Sequence, residues 1–90
     1  MKTNKQFYAA EIKVIRATSQ MHYDWHDNLV DDIQRIQEIT EQYRKENNLS
    51  EEGVPSAPLD DEDIILGIYD YNRCIAYANK CLEYIEKTAA

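Results

Sequence analysis

Apolar positions recur through the first half of the chain at helical spacing. At 100° per residue, Phe7, Tyr8, Ile15, Thr18, His22, Trp25, Leu29, Ile33, Ile36, Thr40 and Tyr43 fall within about 70° of one meridian, and the stripe keeps its phase. Ile12, Ile15, Ser19, His22, His26, Leu29, Ile33, Ile36, Thr40 and Tyr43 nearly satisfy a heptad, the spacing of a helix-packing seam. Residues 1–52 contain neither glycine nor proline, so the pattern predicts a long or kinked N-terminal helix over about residues 4–47. Ser19 and Asp24 are residue types that cap a second helix where the first one breaks. The segment "NNLSEEGVPSAP" holds Gly53, Pro55 and Pro58 and supplies an acidic loop over 48–59. A C-terminal helix follows over about 60–87, with Asp60 as its cap and Asp63 three residues on.

That last helix is apolar over more of its surface than one neighbour can cover. Ile64, Ile68, Tyr71, Ile75, Ala78, Leu82 and Ile85 form a seam, which Leu66, Tyr77, Cys81 and Tyr84 widen to roughly half the cylinder. Either residues 4–18 fold back as a separate helix, or a second subunit or partner covers the excess. The fold class is therefore all-α, a long antiparallel helical hairpin or a three-helix bundle, in a single domain over 1–90. In the hairpin, a first helix of ~60 Å beside a last helix of ~40 Å leaves apolar turns around Phe7, Tyr8 and Ile12 uncovered. This predicts a homo-oligomer with Phe7, Tyr8, Ile12, Leu66 and Cys81 at its interface.

Composition agrees with one small domain, at 43% hydrophobic and 30% charged residues. The longest apolar run, "IILGIY", is too short to cross a bilayer, and no secretory signal is visible. The expectation is a cytoplasmic protein without membrane contact, in the producing cell or an infected host. Cys74 and Cys81 are seven apart on one helix, a rise of ~10 Å that forbids a bridge between them, and are expected as reduced thiols.

Charge changes the picture more. Seven acids and no base lie between Glu46 and Asp63, whereas the rest of the chain holds 10 acids and 10 bases, so the net charge of -7 sits in the loop and the following helix start. Within the balanced remainder, residues 24–41 hold six acids, Asp24, Asp27, Asp31, Asp32, Glu38 and Glu41, against one base, Arg35. Such a surface repels phosphate, which disfavours direct nucleic-acid binding and favours a basic protein partner. Acids at a helix start and in a loop also complement the macrodipole and keep a small domain soluble.

Three chemistries compete with simple binding. His22 and His26 face the same way on a helix and can share a metal, but the pair lacks a third ligand unless Asp70, Cys74 or Cys81 supplies it, and HxxxH lacks the glutamate of a hydrolase signature. No metal and no cofactor is expected, and the pair reads as half-buried polar positions in a helix seam. Glu38-x-x-Glu41 and Asp60-x-x-Asp63, separated by 18 residues, distantly resemble the paired-carboxylate motifs of all-helical nucleotide pyrophosphohydrolases. That resemblance implies a Mg2+-dependent attack on a phosphate chain. Two departures weaken it: aspartates stand where a glutamate is expected, and Glu38 lies opposite the apolar stripe. Tyr23, Trp25, Tyr69, Tyr77 and Tyr84 suit stacking on a small nucleotide-like ligand captured by a helical oligomer. No glycine-rich phosphate loop is present, and neither cysteine has a histidine base on its own helix.

The reading that absorbs most of these features is a non-catalytic interaction protein, an inhibitor that occupies a basic surface on a larger nucleic-acid-processing protein. Its expected contact residues are Asp24, Trp25, Asp27, Asp31, Asp32, Tyr77 and Tyr84. By analogy of class alone, small acidic helical proteins of this kind occur among virus-encoded inhibitors of host nucleic-acid defence, anti-CRISPR proteins included.

Overall fold

Three helices stand out among the residues that the computed structural model describes, which are 5–21, 26–59 and 71–88, with 26–28 and 71 as backbone only. They are α1, Lys5–Ser19; α2, His26–Glu46; and α3, Tyr71–Lys87. All three pack on one another, and the architecture is an all-α three-helix bundle. The expected helix over 4–47 is thus broken in two. A continuous rod of that span needs ~60 Å, whereas the molecule measures 43 Å along its longest axis.

Side-chain pairs give the direction of each helix. Ser19 meets Asp32, Glu11 meets Arg35 and Tyr8 meets Tyr43, so α1 and α2 run antiparallel. Lys5 donates to the Glu86 carbonyl and Arg16 to Asn79, while Cys74 donates to Ser19, so α1 and α3 are antiparallel too. Consequently α2 and α3 are parallel, with Tyr43 reaching Ile85 and Thr88. A parallel pair cannot be joined by a tight turn, and the described part of the connection, residues 47–59, runs back along α3.

Local chemistry ends the helices where they end. At the close of α1, the Thr18 and Ser19 hydroxyls lie 2.9 Å from the carbonyls of Val14 and Ile15, one turn back. The Met21 N–H then bonds the Thr18 carbonyl at 2.8 Å, tightening the turn. At the end of α2, Asn48 adopts φ 55°, the left-handed conformation that asparagine tolerates better than most residues. The Leu49 N–H bonds the Arg44 carbonyl at 3.0 Å and the Asn48 N–H bonds that of Lys45 at 3.2 Å, the two bonds of a Schellman cap. The Arg44 guanidinium closes over it by donating to the Leu49 carbonyl.

The core lies between the three helices. Tyr8 and Ile12 come from α1; Leu29, Ile33, Ile36, Ile39 and Tyr43 from α2; Cys74, Ala78, Cys81, Leu82 and Ile85 from α3. Each isoleucine removed completely from water contributes about 1.5–3 kcal/mol. The Tyr43 ring is central, edge-on to Tyr8 and to Tyr84 at 6.1 and 6.2 Å between centroids. Its hydroxyl lies 2.9 Å from the Thr88 carbonyl and from Thr88 Oγ1 at the end of α3.

The wide apolar arc of α3 is covered from within the chain. Leu49, Val54, Ala57 and Leu59 of the loop pack against the core. The loop runs back along α3, with Pro55 near Tyr84 and Thr88, and Pro58 near Arg73 and Tyr77. Together with the folded-back α1, this segment takes the place that a second subunit would need to fill in a two-helix hairpin.

Candidate interaction surface

Of the expected partner-contact residues, Asp24 and Trp25 lie outside the described residues, as do Leu66 of the expected oligomer interface, His22 of the histidine pair, and Asp60, Asp63 and Asp70. His26 and Asp27 lie in the first turn of α2, where only the backbone is described. Asp31 is exposed on the outer flank of α2. Asp32 turns the other way and is half-buried, with its Oδ2 2.7 Å from Ser19 Oγ. Tyr77 and Tyr84, expected as partner anchors, are instead buried beside the loop. Tyr8, Ile12 and Cys81, expected at an oligomer interface, are buried in the core of the single chain. Among the described members of that group, Phe7 alone is exposed, at 59%.

Ser19, Asp32 and Cys74 join the three helices at one end of the bundle. The single Ser19 proton has two acceptors, the Ile15 carbonyl and Asp32, and the Cys74 thiol donates to Ser19 Oγ at 3.3 Å. Burial pushes the Cys74 thiol above its ordinary value, and the Asp32 charge adds to that against the opposing Ser19 hydrogen bond. Burial likewise raises Cys81, against hydrogen bonds with Thr40 and Tyr77. A buried thiol held protonated is a poor nucleophile, so this cluster serves as a polar clasp between helices.

Of the paired carboxylates, Asp60 and Asp63 lie outside the described residues, and Glu38 and Glu41 turn to separate arginines of α2. Glu38 is turned outward and accepts from Arg35 at 3.4 Å. Glu41 is gripped by Arg44, at 3.0 Å from Nη2 and 3.2 Å from Nε, a hydrogen bond that lowers its pKa below the usual carboxylate value. No group of three metal-ligating side chains occurs among the described residues.

The charges sort by face. The outer flank of α2 carries Asp31 and Glu38, seven residues and so ~10.5 Å apart along the axis. The loop acid Glu52 sits differently, lining a cleft of about 490 Å3 together with Lys80, Glu83, Tyr84 and Lys87. Burial raises the pKa of the Tyr84 hydroxyl, which has no hydrogen-bond partner among the described residues.

A second feature escaped the sequence pattern drawn above. Phe7, Ala10, Val14, Ala17 and Met21 are all exposed, with Val14 at 65% and Met21 at 78%, and they follow one another at steps of three and four. They form an apolar ridge on the side of α1 away from Tyr8, Ile12 and Ser19. Between this ridge and α2 lies a groove of about 370 Å3, lined by Phe7, Val14, Ile15 and Ile39 and bordered by Glu11 and Arg35. The signal was available as an alternating heptad of apolar residues, but assigning Phe7 to the core stripe hid it.

No family model matches the chain, and no curated protein or solved structure shows significant similarity to it.

Proposed function

We propose that the chain is a non-catalytic interaction protein that meets the basic surface of a larger nucleic-acid-processing protein through the outer flank of α2. The observation that carries this reading is the placement of Asp31 and Glu38 on one exposed side of a helix, following Asp24 and Asp27 in the sequence. A helix presents carboxylates at fixed spacing without the ordering entropy of a loop. A net charge of -7 opposes phosphate and steers the chain toward a basic groove, raising the association rate more than the final affinity. The buried thiols and the Arg44-bound Glu41 favour binding over covalent or metal chemistry. Blocking by occupancy is how small acidic inhibitors of nucleic-acid enzymes act, virus-encoded antagonists of host defence among them, and the present reading places this chain in that class.

The test is affinity capture of the tagged chain from its native cell or from an infected host, followed by association kinetics with the protein recovered. Asp31→Asn and Glu38→Gln should each slow association, and added salt should shrink the difference. Association indifferent to both substitutions at low salt would refute the electrostatic reading. Small-ligand capture has one observation in its favour, the Tyr84 hydroxyl, unpaired among the described residues, beside a cleft with Lys80 and Lys87. Calorimetric titration with nucleoside phosphates, repeated on Lys80→Ala, separates the two.

A further inference from the structure

We propose that the apolar ridge of α1 is the contact surface of a symmetric dimer, occupied by the same ridge of a second copy running antiparallel. This goes beyond the binding role given to α2 and uses a different face of the molecule. The ridge is a largely exposed stripe: beyond the edge contact of Phe7 with the neighbouring Tyr8, the side chains of Phe7, Val14 and Met21 remain more than half open to solvent. Scattered exposed apolar residues need no explanation, but four in continuous register on α1, with Met21 just past its end, form a patch of the kind that marks a contact site.

The order of residues along the ridge selects the occupant. Large and small side chains alternate: Phe7, Ala10, Val14, Ala17, Met21. Antiparallel pairing layers one set against the other. The register that sets Phe7 over the partner's Ala17 also sets Val14 over the partner's Ala10, and the two-fold axis repeats both layers. Phe7 and Val14 then each meet an alanine, and the helix axes can approach toward the close end of the ~8–10 Å range. Parallel pairing stacks Phe7 on its own copy and leaves gaps at the alanines, so it packs worse.

Charge at the ridge margin is consistent with this register. Glu11 borders the ridge on its α2 side, 4.0 Å from Arg35, whose side chain is 53% exposed. In the antiparallel pair the two Glu11 carboxylates come near the axis with both Arg35 guanidiniums beside them, an alternating array of four charges. Lys13 lies on the opposite margin with Gln6 and Gln20, all exposed, where water screens the two ammoniums. Asp31 and Glu38 lie further round α2 than Arg35 and stay outside the contact.

Size sets the expected strength. In this register the paired turns run from Phe7 to Ala17, a rise of ~15 Å. With its margins the ridge buries on the order of 600 Å2 per partner, near the ~1,200 Å2 total at the low end of specific interfaces. A reversible dimer with micromolar dissociation follows.

Sedimentation equilibrium of the full chain across the micromolar range tests the proposal. The expected result is a monomer–dimer equilibrium, weakened at least tenfold by Val14→Glu. Because Val14 is 65% exposed, that variant should keep the parent's helical circular dichroism and melting temperature, which distinguishes lost association from lost folding. Orientation is read by cross-linking under a mild oxidant, with the native thiols Cys74 and Cys81 buried and out of reach. Ala10→Cys chains mixed with Val14→Cys chains should form a mixed disulfide dimer, whereas Ala10→Cys alone should not. A strictly monomeric parent, a dimer indifferent to Val14→Glu, or ready cross-linking of Ala10→Cys alone would each overturn the proposal. The α2 reading is untouched by these outcomes, since its own test concerns Asp31 and Glu38.

Discussion

Two neighbouring aspartates provide a sharp test of how this bundle divides its charges. Asp31 and Asp32 are indistinguishable by composition, yet Asp31 faces solvent and Asp32 lies 2.7 Å from Ser19 Oγ. Asp32→Ala removes a charge-assisted bond between α1 and α2. Hydrogen bonds to charged groups contribute about 1.5–3 kcal/mol, and half-exposure of Asp32 moves the expectation to about 1–2 kcal/mol. Ser19 keeps the Ile15 carbonyl as an acceptor at 2.9 Å, so no buried donor is orphaned and the cost stays in that range. For a domain of this size, each kcal/mol lowers the melting temperature by roughly 4–8 °C, giving a fall of about 4–16 °C. Asp31→Ala should stay within about 0.5 kcal/mol of the parent. Urea unfolding followed by circular dichroism measures both, and Ser19→Ala completes a double-mutant cycle with an expected coupling of about 1 kcal/mol. Equal, negligible effects of the two aspartates, or a coupling below about 0.3 kcal/mol, would refute the clasp. The same pair should behave oppositely in partner binding, where Asp31→Asn slows association and Asp32→Asn does not.

Other consequences are open to direct measurement. Cys74 and Cys81 are fully buried, so a thiol reagent should leave the native chain unmodified and label both cysteines in urea. Burial holds both thiols above the ordinary value of 9.0, so the unfolded chain ionises first as pH rises. Their stabilising contribution is therefore complete below about pH 9 and lost at more alkaline pH, as a urea midpoint falling from pH 8 to 10 should show. Glu41 has the opposite sign: Arg44 holds its pKa below 4.5, so its contribution is present above that value and lost as pH falls through the folded pKa. Glu41 is 38% exposed, which limits the effect of Glu41→Gln to a few tenths of a kcal/mol at neutral pH and to nothing well below pH 4. Asn48→Gly should be neutral or slightly stabilising and Asn48→Ala destabilising by about 1 kcal/mol, since φ 55° strains a β-carbon. Elemental analysis should find no stoichiometric zinc, and a chelator should leave the melting temperature unchanged, because at helical spacing His22 and His26 have no third ligand beside them and the candidates Cys74 and Cys81 are buried in the core.

Much of this architecture is local and can be read along the chain. The stripe Leu29, Ile33, Ile36, Thr40 and Tyr43 is the buried face of α2, and Ala78, Leu82 and Ile85 belong to that of α3, because helical periodicity reports which side of a helix leaves water. The loop from Asn48 was legible in its glycine and prolines, and the end of α2 in the asparagine that a left-handed cap prefers. Periodicity does not report which neighbour provides the cover. The seam through Ser19, His22, His26 and Leu29 keeps phase along the sequence although the chain reverses, and Ser19 and Leu29 on either side of the reversal are both buried. Only the packing of α1 back along α2, with Ser19 on Asp32 and Tyr8 on Tyr43, separates the reversal from a continuous helix. The same limit applies to the broad apolar arc of α3. Its cover includes Leu49, Val54, Ala57 and Leu59, four residues with no helical or strand period, so Tyr77, Cys81 and Tyr84 look available in the sequence and are closed in the fold. Burial by an irregular segment depends on where the chain passes, and tertiary structure alone decides that.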